Sequence, residues 1–343
     1  MEHKVTITEV AELAGVSKST VSRYLNQGYV SEEKRERVRA AIAQTGFRSN
    51  FFAKRLKTRE SKLIGIVIPR MDSVTVGRLL SGIDRILAPA GYQVLVLVSQ
   101  LDQEKELENI RSLQQQGVDG IIVDSVGITA EHAQLVPQLS LPVIFTGQQY
   151  PGLICIKVND YQAGHLMGTY LRELGHTQAV FAGVSESDRA VGQERKQGFV
   201  EGFCAGSPEA RVTFVQTGFD FLSAYDAASS MWSYHPSVIV GATDNISLGI
   251  LRYLHERGIR VPEQVSVTGF GGYDVGAVVY PALTSVAFDF ELLGGRAAQA
   301  VLDRLRGEKV DLTGVSPVSL IQRESVRDLR QPFTSPVVNG IML

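Results

Sequence analysis

The sequence is poor in the residues that build covalent or metal-held scaffolds. It contains two cysteines, Cys155 and Cys204, each set among apolar or small neighbours. That excludes a disulfide framework or a cysteine-rich zinc site, and it fits a reducing, cytoplasmic setting. No uninterrupted apolar run approaches the roughly 18 residues that a membrane-spanning helix needs. The opening Met1-Glu2-His3-Lys4 lacks the apolar core of a secretory signal. There is no GxxxxGK(S/T) phosphate loop, no GxSxG elbow and no HExxH pair. Gly269-Phe-Gly-Gly272 follows a strand but is not GxGxxG, so it reads as a strand-to-loop turn. The six histidines are scattered, and neither His176 nor His235 has a partner at ligand spacing. No pair of groups is committed to acid–base work. We therefore expect no enzyme, no metal and no cofactor.

What is present is a chain of 343 residues, 44% apolar, with a mean hydropathy of +0.04. That is too apolar for a disordered chain and too long for one compact core. The net charge of −2 conceals an asymmetry, because residues 1–60 carry 12 Lys and Arg against 7 Asp and Glu. The remaining residues carry 22 against 29. A basic head on an acidic body points the head at a polyanion.

The head reads as three short helices. Thr6 caps the first, with Glu9 completing a capping box ahead of Val10, Leu13 and Ala14, and Gly15 ends it. Ser17 caps the second, Lys18 to Leu25, whose Val21 and Leu25 share one face. Ser31 caps the third, with Glu32 and Glu33 in its first turn, an apolar face of Val38, Ala41 and Ile42, and Gly46 at its end. Two helices joined by a short turn around a glycine form a helix-turn-helix candidate over residues 1–46. Residues 47–61 are a basic linker in which Asn50 can cap one short helix.

From Lys62 onward, apolar runs of strand length alternate with helical patterns. Strands are expected at Leu63–Pro69, Val94–Ser99, Gly120–Val123, Val143–Phe145, Ile154–Val158, Ala179–Ala182, Val238–Val240, Val265–Gly269 and Thr284–Val286. Helices are expected at Val76–Leu87, Glu104–Gln116, Gln162–Leu174, Gln193–Phe203, Ile246–Arg257 and Glu291–Leu305, among others. Such alternation gives an α/β body with parallel sheets and helices on both faces, and this many units call for two lobes. Acidic residues end several strands (Asp72, Asp124, Asp244, Asp274), where α/β proteins open their ligand crevice.

The run Thr8-Glu-Val-Ala-Glu-Leu-Ala-Gly-Val-Ser-Lys-Ser-Thr-Val-Ser-Arg-Tyr-Leu-Asn26 resembles the head of the LacI/GalR family of bacterial transcription regulators. The likeness continues through Val30-Ser-Glu-Glu-Lys-Arg-Glu-Arg-Val38 and Asn50-Phe-Phe-Ala-Lys-Arg-Leu56. It extends to Leu63-Ile-Gly-Ile-Val67, Gly117-Val-Asp-Gly-Ile-Ile122, Arg195-Lys-Gln-Gly-Phe199, Ser266-Val-Thr-Gly-Phe270 and Leu320-Ile-Gln-Arg-Glu-Ser-Val326. It covers about residues 6–327, in family order.

The resemblance implies that Lys18, Ser19 and Arg23 face base edges in the major groove, while Thr6, Ser17, Thr20, Ser22 and Asn26 lie near phosphates. Arg23 has the fork that bonds guanine in bidentate fashion. Asn50, Ala53, Lys54 and Leu56 then belong to a hinge helix that orders in the minor groove, with Leu56 wedged into a deformable base step. Ser49 stands where many members have proline, and Phe51-Phe52 is bulkier than usual.

For the body, the resemblance implies a periplasmic-binding-protein-like fold with lobes of about 62–160 plus 290–320 and 161–289 plus 321–330, inside a domain ending near 327. A small effector sits between them, held by Arg195, Asp244, Phe219, Phe270 and Phe288, with Asp124 at a strand end facing the same crevice. Gly271 occupies a position that is an aspartate in many sugar-binding members, so Tyr273 or Asp274 is the substitute partner for sugar hydroxyls. Pro69-Arg70-Met71-Asp72-Ser73 is similar to the Arg-x-Asp-Ser of the family's trehalose- and sucrose-operon repressors, some of which sense phosphosugars. Arg70 has the fork geometry for a phosphate and Ser73 can cap the next helix beside it, whereas an Arg70–Asp72 surface pair is the plainer alternative.

The expectation is a cytoplasmic, nucleoid-associated repressor of a sugar operon. It binds a palindromic operator as a homodimer and is released by a sugar or sugar phosphate. Dimer contacts are expected from the helix starting near Val76, and the tail 331–343 has no leucine heptads for a tetramer. The alternatives are a catabolite-type regulator dependent on a protein co-regulator and a sugar-binding protein without DNA function.

Overall fold

The computed structural model describes residues 5–25, 28–47, 60–311 and 313–331. The expectations for Asn26, Asn50, Ala53, Lys54, Leu56 and the tail beyond residue 331 lie outside these residues. The chain divides into two compact units, Met1–Ser61 and Lys62–Leu343.

In the first unit, α1 (Ile7–Ala14), α2 (Lys18–Leu25) and α3 (Glu32–Thr45) surround a small core of Val10, Ala11, Ala14, Val21, Val38 and Ala41. The start of α1 is fixed by a reciprocal bond pair: the Thr6 backbone N–H donates to Glu9 Oε2 at 2.6 Å, and the Glu9 N–H donates to Thr6 Oγ1 at 3.4 Å. Gly15 ends α1 at φ +62°, a left-handed conformation that favours glycine. Ser31 holds the cap position of α3 but makes no side-chain capping bond, contrary to the sequence expectation. Glu32 and Glu33 remain in the first turn, where their charges suit the helix dipole.

The second unit holds two six-stranded sheets. The elements follow as β1 (Leu63–Ile68), α4 (Val74–Leu87), β2 (Gln93–Val98), α5 (Gln103–Gln115), β3 (Gly120–Asp124), α6 (Ala130–Leu135), β4 (Val143–Thr146) and β5 (Ile154–Val158). After the first crossing come α7 (Asp160–Glu173), β6 (Gln178–Gly183), a π-helical turn (Arg189–Arg195), α8 (Lys196–Cys204), β7 (Arg211–Gln216), α9 (Phe221–Ser233), β8 (Val238–Gly241), α10 (Asp244–Glu256), β9 (Ser266–Gly271), α11 (Val275–Val278) and β10 (Thr284–Phe288). The chain returns through α12 (Phe290–Leu305) and β11 (Thr313–Ser316), then crosses again at Pro317 into β12 (Val318–Ile321).

The first sheet runs β11-β5-β4-β3-β1-β2, all parallel, and the second runs β12-β10-β9-β8-β6-β7, with β12 antiparallel to β10. Central strands such as Leu63–Ile68 and Ser266–Gly271 are buried along nearly their whole length, as sheets covered on both faces require. Of the strands missed in the sequence, β7 is half-exposed at a sheet edge, and β11 and β12 have four residues each. The third crossing at Pro317 comes before the expected boundary near 320, so β12 joins the second lobe from its first residue.

Glycines let helices meet backbone to backbone in both lobes. In α12 a Cβ on Gly294 would lie 2.1 Å from the Leu79 carbonyl oxygen of α4, whereas one on neighbouring Gly295 would meet nothing nearer than 3.6 Å. Gly294→Ala should therefore destabilise the body by about 1–3 kcal/mol. Gly295→Ala should stabilise it by about 0.5–1 kcal/mol through helix propensity. Denaturant titrations of the two variants check this opposition of signs.

Candidate functional site

The head presents a polar helix face. Only Val21 of α2 is buried, while Ser17, Lys18, Ser19 and Arg23 are exposed and Thr20 and Ser22 are half-buried. Ser17 Oγ accepts the Thr20 backbone N–H at 3.2 Å and lies 2.8 Å from Ser19 Oγ, so the first turn is organised around its hydroxyl. The result is an exposed helix face with a lysine and several hydroxyls at its N-terminus and Arg23 in its last turn, a surface suited to phosphates and base edges.

The body has its cleft between the two sheets' C-terminal ends, with about 900 Å³ of open space. Eight of the ten expected residues line it: Arg70, Ser73, Asp124, Arg195, Phe219, Phe270, Tyr273 and Phe288. Arg70 follows β1 at the N-terminus of α4, where Ser73 Oγ accepts the Val76 N–H. Its guanidinium lies over the Phe219 ring at 5.5 Å. Its ion pair with Asp72 is loose, 3.5 Å, and the Asp72 side chain is 79% exposed. Asp72 is thus at the mouth rather than in the cleft, with its carboxylate largely in water.

Arg195 closes the floor. It is 4% exposed, and its guanidinium lies 5.1 Å from the Phe270 ring centroid and 4.8 Å from that of Phe288. Its Nε and Nη2 donate to Asp160 Oδ1, and its Nη1 donates to the Ala242 carbonyl. Burial raises the Asp160 carboxyl above the usual range, and Arg195 opposes that rise. The cation at the floor is therefore neutralised from within the protein, which leaves Arg70 as the cleft's outward-facing positive charge.

Asp244 departs from its expected role as a sugar-hydroxyl acceptor. It is fully buried, with Oδ2 accepting the Tyr273 N–H at 2.7 Å and Oδ1 accepting from Ser285 Oγ at 2.6 Å. Both oxygens are engaged in fixing the loop after β9, so Asp244 acts behind the wall. Gly271 has φ +137°, and a Cβ there would lie 2.4 Å from the Tyr273 ring, so the tyrosine occupies the space that a longer side chain would need. Tyr273 lines the cleft at 5% exposure, and burial pushes its hydroxyl up to about 12. Asp274, the alternative partner, instead faces solvent and pairs with Arg78 of α4 at 3.1 Å.

Several lining residues escaped the sequence reading: Ser125, Gln148, Asp160, Asp188 and Phe290. Asp160 and Asp188 each follow a strand end, the same signal that marked Asp124. Asp188 comes from the second lobe and Asp124 from the first, and each is pushed upward by burial. Asp124 reaches about 6, with Thr146 donating to it at 2.8 Å against the trend, and with Glu106 and Asp188 adding to it. Among the described residues no cluster could hold a metal ion, and no helix is long and apolar enough to cross a membrane.

Because the folded Asp124 holds its proton more tightly than the unfolded chain does, its contribution to stability is complete below pH 3.8 and is lost as pH rises through about 6. Asp124→Asn keeps the acceptor for Thr146 but removes the titration. It should match the parent chain below about pH 4 and exceed it by about 1–3 kcal/mol above pH 7, as read by urea midpoints across pH.

Comparison with known proteins agrees with this layout. Residues 6–50 match the bacterial regulatory proteins of the lacI family, and residues 169–326 match a periplasmic binding protein-like domain. The chain is 34% identical over 307 residues to the sucrose operon repressor of Staphylococcus xylosus, covering 89% of this chain and 95% of that one. Among solved structures, the lac repressor dimer bound to operator and the anti-inducer ONPF matches with a TM-score of 0.86 at 25% identity, over 95% of this chain and 100% of that one. The transcriptional regulator CelR in complex with cellobiose matches with a TM-score of 0.70 at 26% identity, over 94% of this chain and 99% of that one. A DNA-reading head and a two-lobed body thus occur here in the order and over the length found in those regulators, and the chain belongs to the lacI family of bacterial regulatory proteins.

Proposed function

We propose that this protein is a transcriptional repressor of a sugar-utilisation operon, acting in the cytoplasm at the nucleoid. It binds a palindromic operator as a homodimer and leaves it when a sugar or sugar phosphate occupies the cleft. The exposed face of α2 supplies the base contacts through Lys18, Ser19 and Arg23, with Ser17 and its neighbouring hydroxyls on phosphates. Two such helices on a two-fold axis match two half-sites. The names of its relatives, a sucrose operon repressor and a cellobiose-bound regulator, favour a carbohydrate effector.

The observation that carries the effector reading is the pairing of Arg70 with aromatic faces and carboxylates. Phe219, Tyr273 and Phe288 offer apolar faces to a sugar ring, while Asp124 and Asp188 offer acceptors to its hydroxyls. Arg70 lies at the N-terminus of α4, where among the described residues its ion-pair partner is the loose Asp72 contact and its guanidinium rests on the Phe219 ring. That combination suits a phosphate at the mouth and a sugar ring inside. Effector binding that draws the lobes together would select a body conformation in which the heads no longer fit their half-sites.

The test is an anisotropy titration on a palindrome with a central CG step, with and without a panel of free and phosphorylated sugars. Release by one phosphosugar, abolished in Arg70→Ala while operator affinity is kept, supports the whole reading. Release by a neutral sugar alone removes the phosphate role of Arg70 and keeps the repressor. Absence of specific binding on any palindrome favours regulation through a protein co-regulator. Arg23→Ala should weaken operator binding by about 10–100-fold and relax preference at one base pair per half-site.

A further inference from the structure

Behind the cleft wall is a buried polar cluster whose Glu106 and His132 do not line the cleft themselves. Glu106 of α5 is 2% exposed and His132 of α6 is fully buried, both next to the core of Leu107, Val123, Leu135 and Phe145. Glu106 Oε1 accepts from Ser125 Oγ at 2.7 Å, and His132 Nε2 faces the same oxygen at 3.0 Å. The Thr129 backbone N–H donates to His132 Nδ1 at 3.1 Å. A backbone N–H can only donate, so Nδ1 is the acceptor and Nε2 carries the ring proton, which lies beside Glu106 without making a hydrogen bond to it. The cluster ends in the cleft: Ser125 lines it, and its Oγ also accepts the Gly127 N–H at 3.2 Å. Among the described residues no lysine or arginine is bonded to Glu106, and such a buried carboxyl is costly unless it organises something.

We infer that Glu106, with His132 packed beside it, is a positioning residue for the effector cleft: through Ser125 it fixes the 124–127 loop, which forms the first lobe's wall opposite Asp188. The inference rests on reading the cleft as the effector site. The charge of Glu106 has a second consequence there. Asp124 adjoins Ser125, accepts from Thr146 of β4, and feels the charges of Glu106 on α5 and Asp188 in the second lobe. Arg70, Asp160 and Arg195 line the same cleft. Glu106 adds to the rise of Asp124, so it helps to set the pH at which Asp124 changes from a hydroxyl-like donor to an acceptor for a bound ring.

The test needs no sugar. The stability difference between Asp124→Asn and its parent is followed against pH, first in the native background and then in Glu106→Gln, which keeps an acceptor for Ser125 but deletes the charge. The midpoint of the difference curve should fall by about half a pH unit or more in the Glu106→Gln background. Superimposable curves overturn the electrostatic role, because a spacer of the same shape would leave the midpoint in place. Ser125→Ala provides a second arm that removes one small hydroxyl at the wall. Amide exchange in a peptide spanning 120–130 should accelerate about tenfold while peptides of the second lobe stay unchanged. Unchanged exchange at 120–130 overturns the positioning role. Failure of the sugar panel leaves both arms readable, and failure of both arms leaves the repressor reading intact.

Discussion

The cleft depends on one buried ion pair. Asp160 is the first residue of α7, immediately after the chain first crosses between lobes, and Arg195 closes the π-helical turn that leads into α8. Joining them fixes the crossing, and the guanidinium then reaches the carbonyl after β8 and the rings of Phe270 on β9 and Phe288 on β10. Removing either charge would strand the other in an interior that cannot solvate it. Close helix packing supports the pair, since a Cβ on Gly164 of α7 would lie 2.0 Å from the Arg195 carbonyl oxygen. The floor is therefore rigid, and the variable chemistry is left to the rim: Arg70, Tyr273, Asp124 and Asp188.

That division clarifies the charge of the site. With Arg195 answered by Asp160, the remaining lining charges are one arginine at the mouth and two carboxyls facing from opposite lobes. The carboxyls oppose close approach of the lobes when both are ionised, and a ligand rich in hydroxyls or a proton relieves that opposition. Arg70 meanwhile favours an anion outside them.

Much of this was legible in the sequence, and the exceptions have physical causes. The parallel-sheet lobes follow from apolar runs at strand length, and the Arg70-to-Ser73 segment was readable because a cap and a cation adjoin a strand end. β7, β11 and β12 were illegible because they lie at sheet edges, where half-exposed strands mix polar residues with apolar ones and carry no continuous apolar run. Asp244 was misplaced because a strand-end acid looks the same whether it faces a crevice or the interior. What turns it inward is Ser285, which lies 41 positions further along. The π-helical turn over 189–195 was hidden because only its last residues, from Gln193, were read as helical, and residue identity does not separate a π turn from an α turn. Ser31 shows the reverse case, a good capping residue in the right place whose hydroxyl makes no capping bond.

The three crossings also constrain how the protein is made. The first lobe's sheet spans 63–158 but is completed at its edge by β11, and its helix α4 lacks its partner α12 until residue 305 has been added. The second lobe likewise waits for β12 at 318–321. A ribosome therefore releases almost the whole chain before either lobe can close its core, although the head can fold from its first residues. During synthesis a DNA-reading head would precede its own regulator, tethered to a half-built body whose apolar surfaces at α4 and β5 stay open until the last strands arrive.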